Sequence, residues 1–320
     1  MKAAVVHEIG NLPRYEDFPD PIPGDGEVMI DVKAVAVENL DREIVAGHHF
    51  SSGAFAQALP AIPCFDGVGT LQDGTLVGFG GVRPPYGALA QRVVVAEEHV
   101  SPVPDGLEPA VAVVLASAVT GFTISTAGDF EPGKTVLVQG ATGVAGRLAV
   151  QIARKLGAGR IVATGRREDA LREAALLGAD ATINTAVSDE ELVAAFREHS
   201  GDGYDIVLDF LWGRPTELLL HALTPEELGF VKPTRIVQVG SSAGESLTVP
   251  AAAVRTSGVE LVGATKGLGP ESMAAAYKRA AGWAHDGELV FNIERVPLSQ
   301  IESAWTCTDL AGKRLVVIAG

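Results

Sequence analysis

Short apolar runs alternate with longer amphipathic stretches between residues 135 and 262. The apolar runs predict six strands, at 135–138, 160–164, 181–183, 205–209, 235–239 and 259–262. Apolar residues at helical spacing predict helices at 144–156, 168–177, 189–199 and 215–223. The first helix is predicted to bury one apolar face and to turn Arg147, Arg154 and Lys155 away from it. Strands that alternate with helices predict an α/β fold with a doubly wound parallel sheet.

The two ends of the chain follow a different pattern. Residues 1–108 carry apolar runs at 3–6, 28–37, 75–79 and 88–95 between Pro, Gly and Asp clusters, which predicts an irregular, β-rich region. Residues 109–127 are Ala-rich and predict a helix. The tail after residue 264 is predicted to hold a helix at 272–285, a strand at 290–296, a helix at 301–309 and a strand at 314–318. It is too short for a domain, so we expect it to return to the N-terminal part.

Composition narrows the function classes. The 320 residues are 47% hydrophobic, enough for two domains, and 40 acidic against 25 basic residues give a formal net charge of -15. An acidic surface argues against nucleic acid or an anionic membrane as the main partner. Two cysteines cannot form a disulfide framework, and the N-terminus lacks the apolar stretch of a secretory signal. Segment 109–128 is uncharged, but its Ser, Thr and Gly content and its acidic flanks favour a buried helix, so we expect a soluble cytoplasmic protein.

A glycine cluster, GATGVAG at 140–146, separates the first strand of the alternating region from the helix that follows. Glycines let the backbone turn tightly, and the first turn of the helix offers unpaired N–H groups and a positive dipole end to a phosphate. The G-x-G-x-x-G fingerprint is not met literally, because its first glycine falls on Ala141. The strand, turn, helix and strand context nevertheless predicts a dinucleotide site. The alternative is a structural βα turn without a ligand.

The residues after the next strand indicate which dinucleotide is bound. An NAD site has an acid at this strand tip for the ribose 2′-OH, whereas here Gly165 is followed by Arg166 and Arg167. Guanidinium groups suit a 2′-phosphate, so the sequence favours NADPH over the alternative of two solvated arginines. Another motif, GDFEPGKT at 128–135, matches the P-loop expression, but it precedes a strand and is interpreted as a helix-to-strand turn.

The chain resembles the medium-chain dehydrogenase/reductases, specifically their zinc-independent quinone oxidoreductase branch, over nearly its whole length. The resemblance rests on IPCFDGVG at 62–69, YGALAQRVVV at 86–95 and EPGKTVLVQGATGVAG at 131–146. It implies a GroES-like, β-rich catalytic domain formed by residues 1–112 and 264–320, and a Rossmann NADP-binding domain at 113–263. It also implies a substrate site between the two lobes, against the nicotinamide, and we expect a homodimer.

The resemblance further implies which residues meet the cofactor. Thr120 matches a position that touches nicotinamide, and loops at the carboxyl ends of parallel strands are where an open α/β sheet binds its ligand. The predicted cofactor residues are Thr120, Gly140, Thr142, Gly143, Val144, Ala145, Gly165, Arg166, Arg167, Leu211, Gly240, Ser241 and Ser242.

No metal site is predicted. Zinc alcohol dehydrogenases of the superfamily use a Cys, a His-Glu pair and a further ligand, and the pair falls here on Phe65 and Asp66. Phe cannot ligate zinc, and the expected Cys falls near Asn39. Without zinc to polarise a carbonyl, the predicted reaction is hydride transfer from NADPH to a quinone or an α,β-unsaturated carbonyl compound.

By resemblance, Asn39 and Asp41 are predicted catalytic residues, with Asn39 as a hydrogen-bond donor to developing negative charge. Tyr86 is a further catalytic candidate, because it lies in a Pro- and Gly-rich loop. His49 and Phe65 are predicted to line the substrate cleft, which loops 41–60 and 81–87 are expected to shape. The alternatives are a simple turn residue for Asn39, a core aromatic for Phe65 and a solvated histidine for His49. The rival hypothesis for the whole chain is an NADPH-binding sensor or structural protein with vestigial reductase activity.

Overall fold

The structure is a computed structural model that describes residues 1–227, 231–307, 310 and 312–320. Its contacts divide the chain into two units, Met1–Leu115 with Asn292–Gly320, and Ala116–Phe291. We call these the first unit and the second unit.

The N-terminal part of the first unit is mostly β-structure. Its strands are β1 (Lys2–Val5), β2 (Arg14–Asp17), β3 (Glu27–Val37), β4 (Gly67–Thr70), β5 (Leu76–Phe79), β6 (Arg92–Ala96) and β7 (Val100–Pro102). Its helices are α1 (Asn39–Ala46), α2 (Ser52–Gln57) and α3 (Pro109–Val119). The division between the units falls inside α3.

The second unit alternates strands with helices. The strands are β8 (Thr135–Gln139), β9 (Arg160–Gly165), β10 (Ala181–Asn184), β11 (Ile206–Asp209), β12 (Thr234–Gln238) and β13 (Val259–Gly263). The helices are α4 (Thr123–Thr126), α5 (Val144–Lys155), α6 (Glu168–Leu176), α7 (Asp189–Ser200), α8 (Gly213–Leu223), α9 (Ala251–Thr256) and α10 (Pro270–His285). The chain then returns to the first unit with β14 (Ile293–Pro297), α11 (Ile301–Trp305) and β15 (Arg314–Ile318).

The strands of the second unit form one parallel sheet in the order β10-β9-β8-β11-β12-β13. This is the order of a dinucleotide-binding sheet, in which the direction of winding reverses between the first and fourth strands, here β8 and β11. Val136 and Val138 of β8 pack in one apolar cluster, whereas Leu137 packs in another. The sheet is therefore buried on both faces, and the predicted doubly wound fold is confirmed.

The first unit is built around the long strand β3. It pairs antiparallel with β4, β6 and β15 in a seven-stranded sheet, while β1 and β2 form a separate antiparallel pair. Strand β14 extends the larger sheet by pairing parallel with β15. The part of the tail from residue 292 onward thus returns to the N-terminal part.

Residues 264–291 belong to the second unit, which ends at Phe291 and not at the predicted residue 263. Trp283 of α10 stacks on Phe122 with 5.7 Å between ring centroids. The Gln151 amide donates to Val290 O at 2.8 Å and accepts from Val290 N at 2.7 Å, across 139 positions of sequence. Local periodicity cannot report such distant pairings, which explains the difference.

Several local elements also differ from the pattern-based expectation. The predicted loop at 41–60 contains most of α1 and all of α2, which have only 8 and 6 residues and leave a weak periodic signal. Strands predicted to begin at 88 and 290 begin at Arg92 and Ile293. The helix predicted at 301–309 is observed as α11, and residues 308 and 309 lie outside the described residues. Thr135 begins β8, as the interpretation of the P-loop-like motif required.

The segment Pro109–Thr126, which comprises α3, a 3-10 turn and α4, is long and apolar enough to cross a membrane. Among the described residues no other helix meets that test. Since 61% of the segment is buried inside the protein, it has the surroundings of a core helix.

Candidate functional site

The glycine loop joins β8 to α5 through a left-handed turn and a close backbone approach. Gly140 has a φ of 79°, a left-handed conformation that favours glycine. A Cβ on Gly146 would overlap the carbonyl oxygen of Gly140, so glycine is required there as well. Gly143 caps α5, and its carbonyl accepts the first helical hydrogen bond at 2.9 Å. The N–H groups of Val144 and Ala145 in the first turn have no partner within the helix, which makes them available to an anion.

Two neighbouring strand tips meet this loop at the carboxyl edge of the sheet. Gly140 N donates to Thr164 Oγ1 of β9 at 3.0 Å. A Cβ on Gly165 would overlap the Thr142 methyl group, and a Cβ on Gly140 would lie 2.9 Å from Leu211 Cδ2, just after β11. The structure thus brings four of the predicted cofactor residues into contact.

Asp209, buried at the end of β11, organises the loop that follows. Its carboxylate accepts the N–H groups of Leu211 and Trp212 at 2.9 and 3.0 Å and the Thr216 hydroxyl at 2.5 Å. Burial raises the pKa of Asp209 above its ordinary value, against these hydrogen bonds. Asp209 was not among the predicted site residues, although an acid that ends an apolar run before a helix is a local signal for it.

The loop after β12 is held to the loop after β11. Gly240 N donates to Asp209 O at 3.1 Å, and the Ser242 hydroxyl donates to Phe210 O at 2.9 Å. Ser241 stands exposed between them. These three predicted residues therefore line the same sheet edge as the glycine loop, on the other side of the point where the winding reverses.

Both predicted phosphate-binding arginines are exposed directly after β9. Arg167 Nε lies 3.7 Å from Asp169 Oδ1. In the described part of the chain, Arg166 has no carboxylate within 4.0 Å. Its guanidinium is therefore free to meet an anion at the strand tip.

Thr120 lies in the same unit, in the 3-10 turn Thr120–Phe122, and its hydroxyl donates to Ser117 O at 2.7 Å. The turn packs tightly on α5, since a Cβ on Gly121 would lie 2.6 Å from Ile152 Cδ1. Thr120 is thus supported by the helix that follows the glycine loop.

The predicted solvent-facing orientation of Arg147 is wrong. This residue is 6% exposed, its Nε donates to Thr142 O at 3.2 Å, and its guanidinium pairs with the Glu173 carboxylate of α6. A long side chain can reach back over the loop that precedes its helix, which a helical face assignment does not anticipate.

In the first unit, Asn39 is the first residue of α1, and the helix start is held by a capping box. Glu38 N donates to Asp41 Oδ2 at 2.8 Å, which satisfies a backbone donor that the helix leaves unpaired. Asp41 is only 4% exposed, and its carboxyl group holds the backbone at the start of the helix that carries Asn39.

An acid–thiol cluster surrounds Asp41. The buried Cys64 thiol and Asp66 lie close enough to Asp41 to affect its pKa, and Arg314 Nη2 pairs with Glu38 Oε1 at 3.1 Å. Burial, together with the charges of Asp66 and Glu38, raises the pKa of Asp41 to about 7. Burial and the Glu38 charge raise the pKa of Asp66 to about 7 as well. Burial also raises the pKa of the Cys64 thiol well above its ordinary value, so this thiol stays protonated.

The remaining predicted residues of the first unit have separate surroundings. The Tyr86 hydroxyl donates to Asp20 O at 3.3 Å. His49 Nδ1 forms a 2.7 Å hydrogen bond with Ser51 Oγ. Phe65 is 41% exposed, so it is not the core aromatic considered as its alternative.

The donor set of the first unit does not fit zinc. Within the described residues, no three His, Cys, Asp or Glu side chains are grouped so that they could hold a metal ion. Burial raises the pKa of Asp41 and of Asp66 to about 7 and raises that of the Cys64 thiol, so a zinc ion bound here would have to displace protons from its ligands.

The chain is similar to known oxidoreductases. Residues 145–281 match a family described as zinc-binding dehydrogenase, and these residues lie entirely in the second unit. A probable NADPH-dependent quinone reductase of Emericella nidulans is 27% identical over 362 aligned positions, which cover 99% of this chain and 100% of that protein. Prostaglandin reductase-3 of Bos taurus is 29% identical over 255 positions, 75% of this chain and 65% of that protein.

Solved structures share the fold of this chain. The quinone oxidoreductase of Thermus thermophilus, solved alone and with NADPH, has a TM-score of 0.75 and 26% identity over 99% of this chain and 100% of that one. A quinone oxidoreductase of Pseudomonas syringae has a TM-score of 0.80 at 21% identity, which is evidence for the fold alone.

Two glycine substitutions test the close approach of Gly146 to the Gly140 carbonyl. Gly146→Ala is expected to lower the free energy of unfolding by about 2 kcal/mol, because the added methyl group would displace the Gly140 carbonyl. Gly143→Ala is the matched control: its φ is −79° and its nearest neighbour would be 3.7 Å away, so the change should stay within about 0.5 kcal/mol. Urea unfolding of the three proteins measures both values, and equal destabilisation would contradict the packing account.

The acid–thiol cluster predicts a falling stability with rising pH. A carboxyl group whose pKa is about 7 when folded and ordinarily 3.8 binds its proton more tightly in the native state. Its contribution is complete below pH 4 and is lost as the pH rises to about 7, with a slope of about 1.4 kcal/mol per pH unit for one group. Urea unfolding between pH 5 and 7 should show this slope, the slope should flatten above pH 7, and Asp41→Asn should reduce it.

Asp73→Asn is the control for this pH experiment. Asp73 is exposed, and the Thr75 N–H bond lowers its pKa, so its titration lies below the tested range. An Asp41→Asn slope that equals that of the wild-type protein would show that Asp41 is ionised when folded.

Proposed function

We propose that this chain, which belongs to the quinone oxidoreductase-like branch of the medium-chain dehydrogenase/reductase superfamily, is an NADPH-dependent oxidoreductase that reduces a quinone or an α,β-unsaturated carbonyl compound without zinc. The observation that carries the proposal is the glycine loop at the reversal point of a six-stranded dinucleotide-binding sheet, followed at the next strand tip by Arg166 and Arg167.

The second unit binds and orients the cofactor. The N–H groups of Val144 and Ala145 donate hydrogen bonds to the pyrophosphate, and the exposed guanidinium groups of Arg166 and Arg167 bind the 2′-phosphate. The loops that carry Leu211 and Gly240 then direct the remainder of the dinucleotide along the carboxyl edge. When bound, NADPH supplies the hydride.

The first unit supplies the polar groups for the acceptor. Asn39 donates its side-chain N–H to the oxygen on which negative charge develops, and Asp41 positions the helix start that presents Asn39. Tyr86, His49 and Phe65 are proposed to border the acceptor. An acceptor that is already electrophilic needs no metal to polarise it, which agrees with a donor set that does not fit zinc. The homodimer and the cytoplasmic location stay predictions.

Removal of the two arginines tests the choice of cofactor. Arg166→Ala with Arg167→Ala should raise the NADPH KM at least about 10-fold, because two charge-assisted contacts to the 2′-phosphate are lost, and should leave the NADH KM nearly unchanged. Arg172→Ala is the control, since it removes an exposed cation from α6, the helix that follows the two arginines. Equal changes in the two KM values would contradict the proposal that Arg166 and Arg167 bind the 2′-phosphate.

Turnover assays test the reaction class. NADPH oxidation is expected with 1,4-benzoquinone, with a simple enone or with both, and a chelator such as EDTA should leave the rate intact. Activity lost to the chelator and restored by Zn²⁺ would overturn the zinc-independent reaction. No turnover with either acceptor, together with tight NADPH binding, would instead identify the sensor or structural protein.

A further inference from the structure

Arg147 occupies a position that is unfavourable for a cation by itself. It lies in the first turns of α5, where the helix dipole disfavours positive charge, and only 6% of the residue is exposed. A buried guanidinium must be paired and hydrogen-bonded to be tolerated. Arg147 is paired with the Glu173 carboxylate through Nη2, and its Nε donates to the Thr142 carbonyl at 3.2 Å.

The two partners of Arg147 lie on different elements of the proposed cofactor site, the glycine loop and α6. Thr142 is part of the glycine loop, and its methyl group fills the space left by Gly165 at the β9 tip. Glu173 is on α6, the helix that begins after Arg167. Leu171 of that helix also packs on the tip, since a Cβ on Gly165 would lie 3.1 Å from Leu171 Cδ2. Arg147 therefore joins the loop for the pyrophosphate to the helix beside the 2′-phosphate.

The Glu173 side chain is 50% exposed and carries a negative charge close to this region. Without Arg147 the charge would face the incoming phosphates with no internal partner, and the dianionic 2′-phosphate would be repelled most. The Thr142 carbonyl would lose its side-chain donor in the same step.

We propose that Arg147 is a positioning residue that sets the preference for a 2′-phosphorylated dinucleotide, by neutralising Glu173 and fixing the glycine loop against α6. The inference rests on the proposed NADPH function. It assigns cofactor selectivity to a residue beneath the loop, in addition to the exposed arginines at the strand tip.

Binding titrations with NADPH and NADH, by calorimetry and without any acceptor, test the inference independently of activity. Arg147→Ala should lower the ratio of NADPH to NADH affinity about 10-fold. Glu173→Gln should raise the same ratio, because the guanidinium then faces the phosphate without an internal anion. The double variant Arg147→Ala with Glu173→Gln should return the ratio towards the wild-type value, and it provides the measurement if Arg147→Ala alone does not fold.

Lys155→Ala is the matched control. It removes one cation from the far end of the same helix, where Lys155 Nζ pairs with Glu288 Oε2 at 2.7 Å, so the ratio should not change. A ratio unchanged in Arg147→Ala and Glu173→Gln, with both affinities lowered equally, would overturn the inference and leave only a structural support of the loop. A wild-type protein that binds NADH as tightly as NADPH would overturn the proposed cofactor instead, which separates the two failures.

Discussion

The close approach of α5 to the end of β8 is the constraint on which the candidate site depends. Gly140 turns the chain in a left-handed conformation, and Gly146 lets the helix pack against the carbonyl of that same residue. With both glycines in place, α5 begins directly after the carboxyl end of β8, where the N–H groups of its first turn have no partner within the helix. Gly165 repeats the principle at the next strand, where the absence of a Cβ admits Thr142.

The second unit also shows how buried charge can organise loops. Asp209 is enclosed at the end of β11 and is compensated by two backbone N–H groups and the Thr216 hydroxyl. Arg147 is enclosed at the start of α5 and is compensated by a carbonyl and a carboxylate. Because an uncompensated buried charge is costly, each residue holds its partners in place. The loops at the sheet edge are fixed by these polar contacts as much as by apolar packing.

In the acid–thiol cluster of the first unit, burial acts mainly on the protonation of the side chains. Burial raises the pKa of Asp41 and of Asp66 to about 7 and holds Cys64 as a thiol, so a metal ion bound at this cluster would have to displace protons. The match to the family described as zinc-binding dehydrogenase covers residues 145–281, which contain none of this cluster. That match therefore says nothing about whether the cluster in the first unit binds zinc.

Local sequence patterns were enough to predict the strand and helix order of the second unit, the glycine turn and the pair of arginines after β9. These features are local: strand and helix periodicity, a left-handed turn and a strand tip are each encoded within a few consecutive residues. Of the tail that was predicted to return to the N-terminal part, only residues 292–320 do so. The tertiary structure alone decided that α10 belongs to the second unit, that Arg147 is buried, and that Glu38, Asp41, Cys64, Asp66 and Arg314 form one cluster. Each of these depends on partners far away in the chain, such as Arg314 for Glu38, and the cost of burying a charge is known only when those partners are in place.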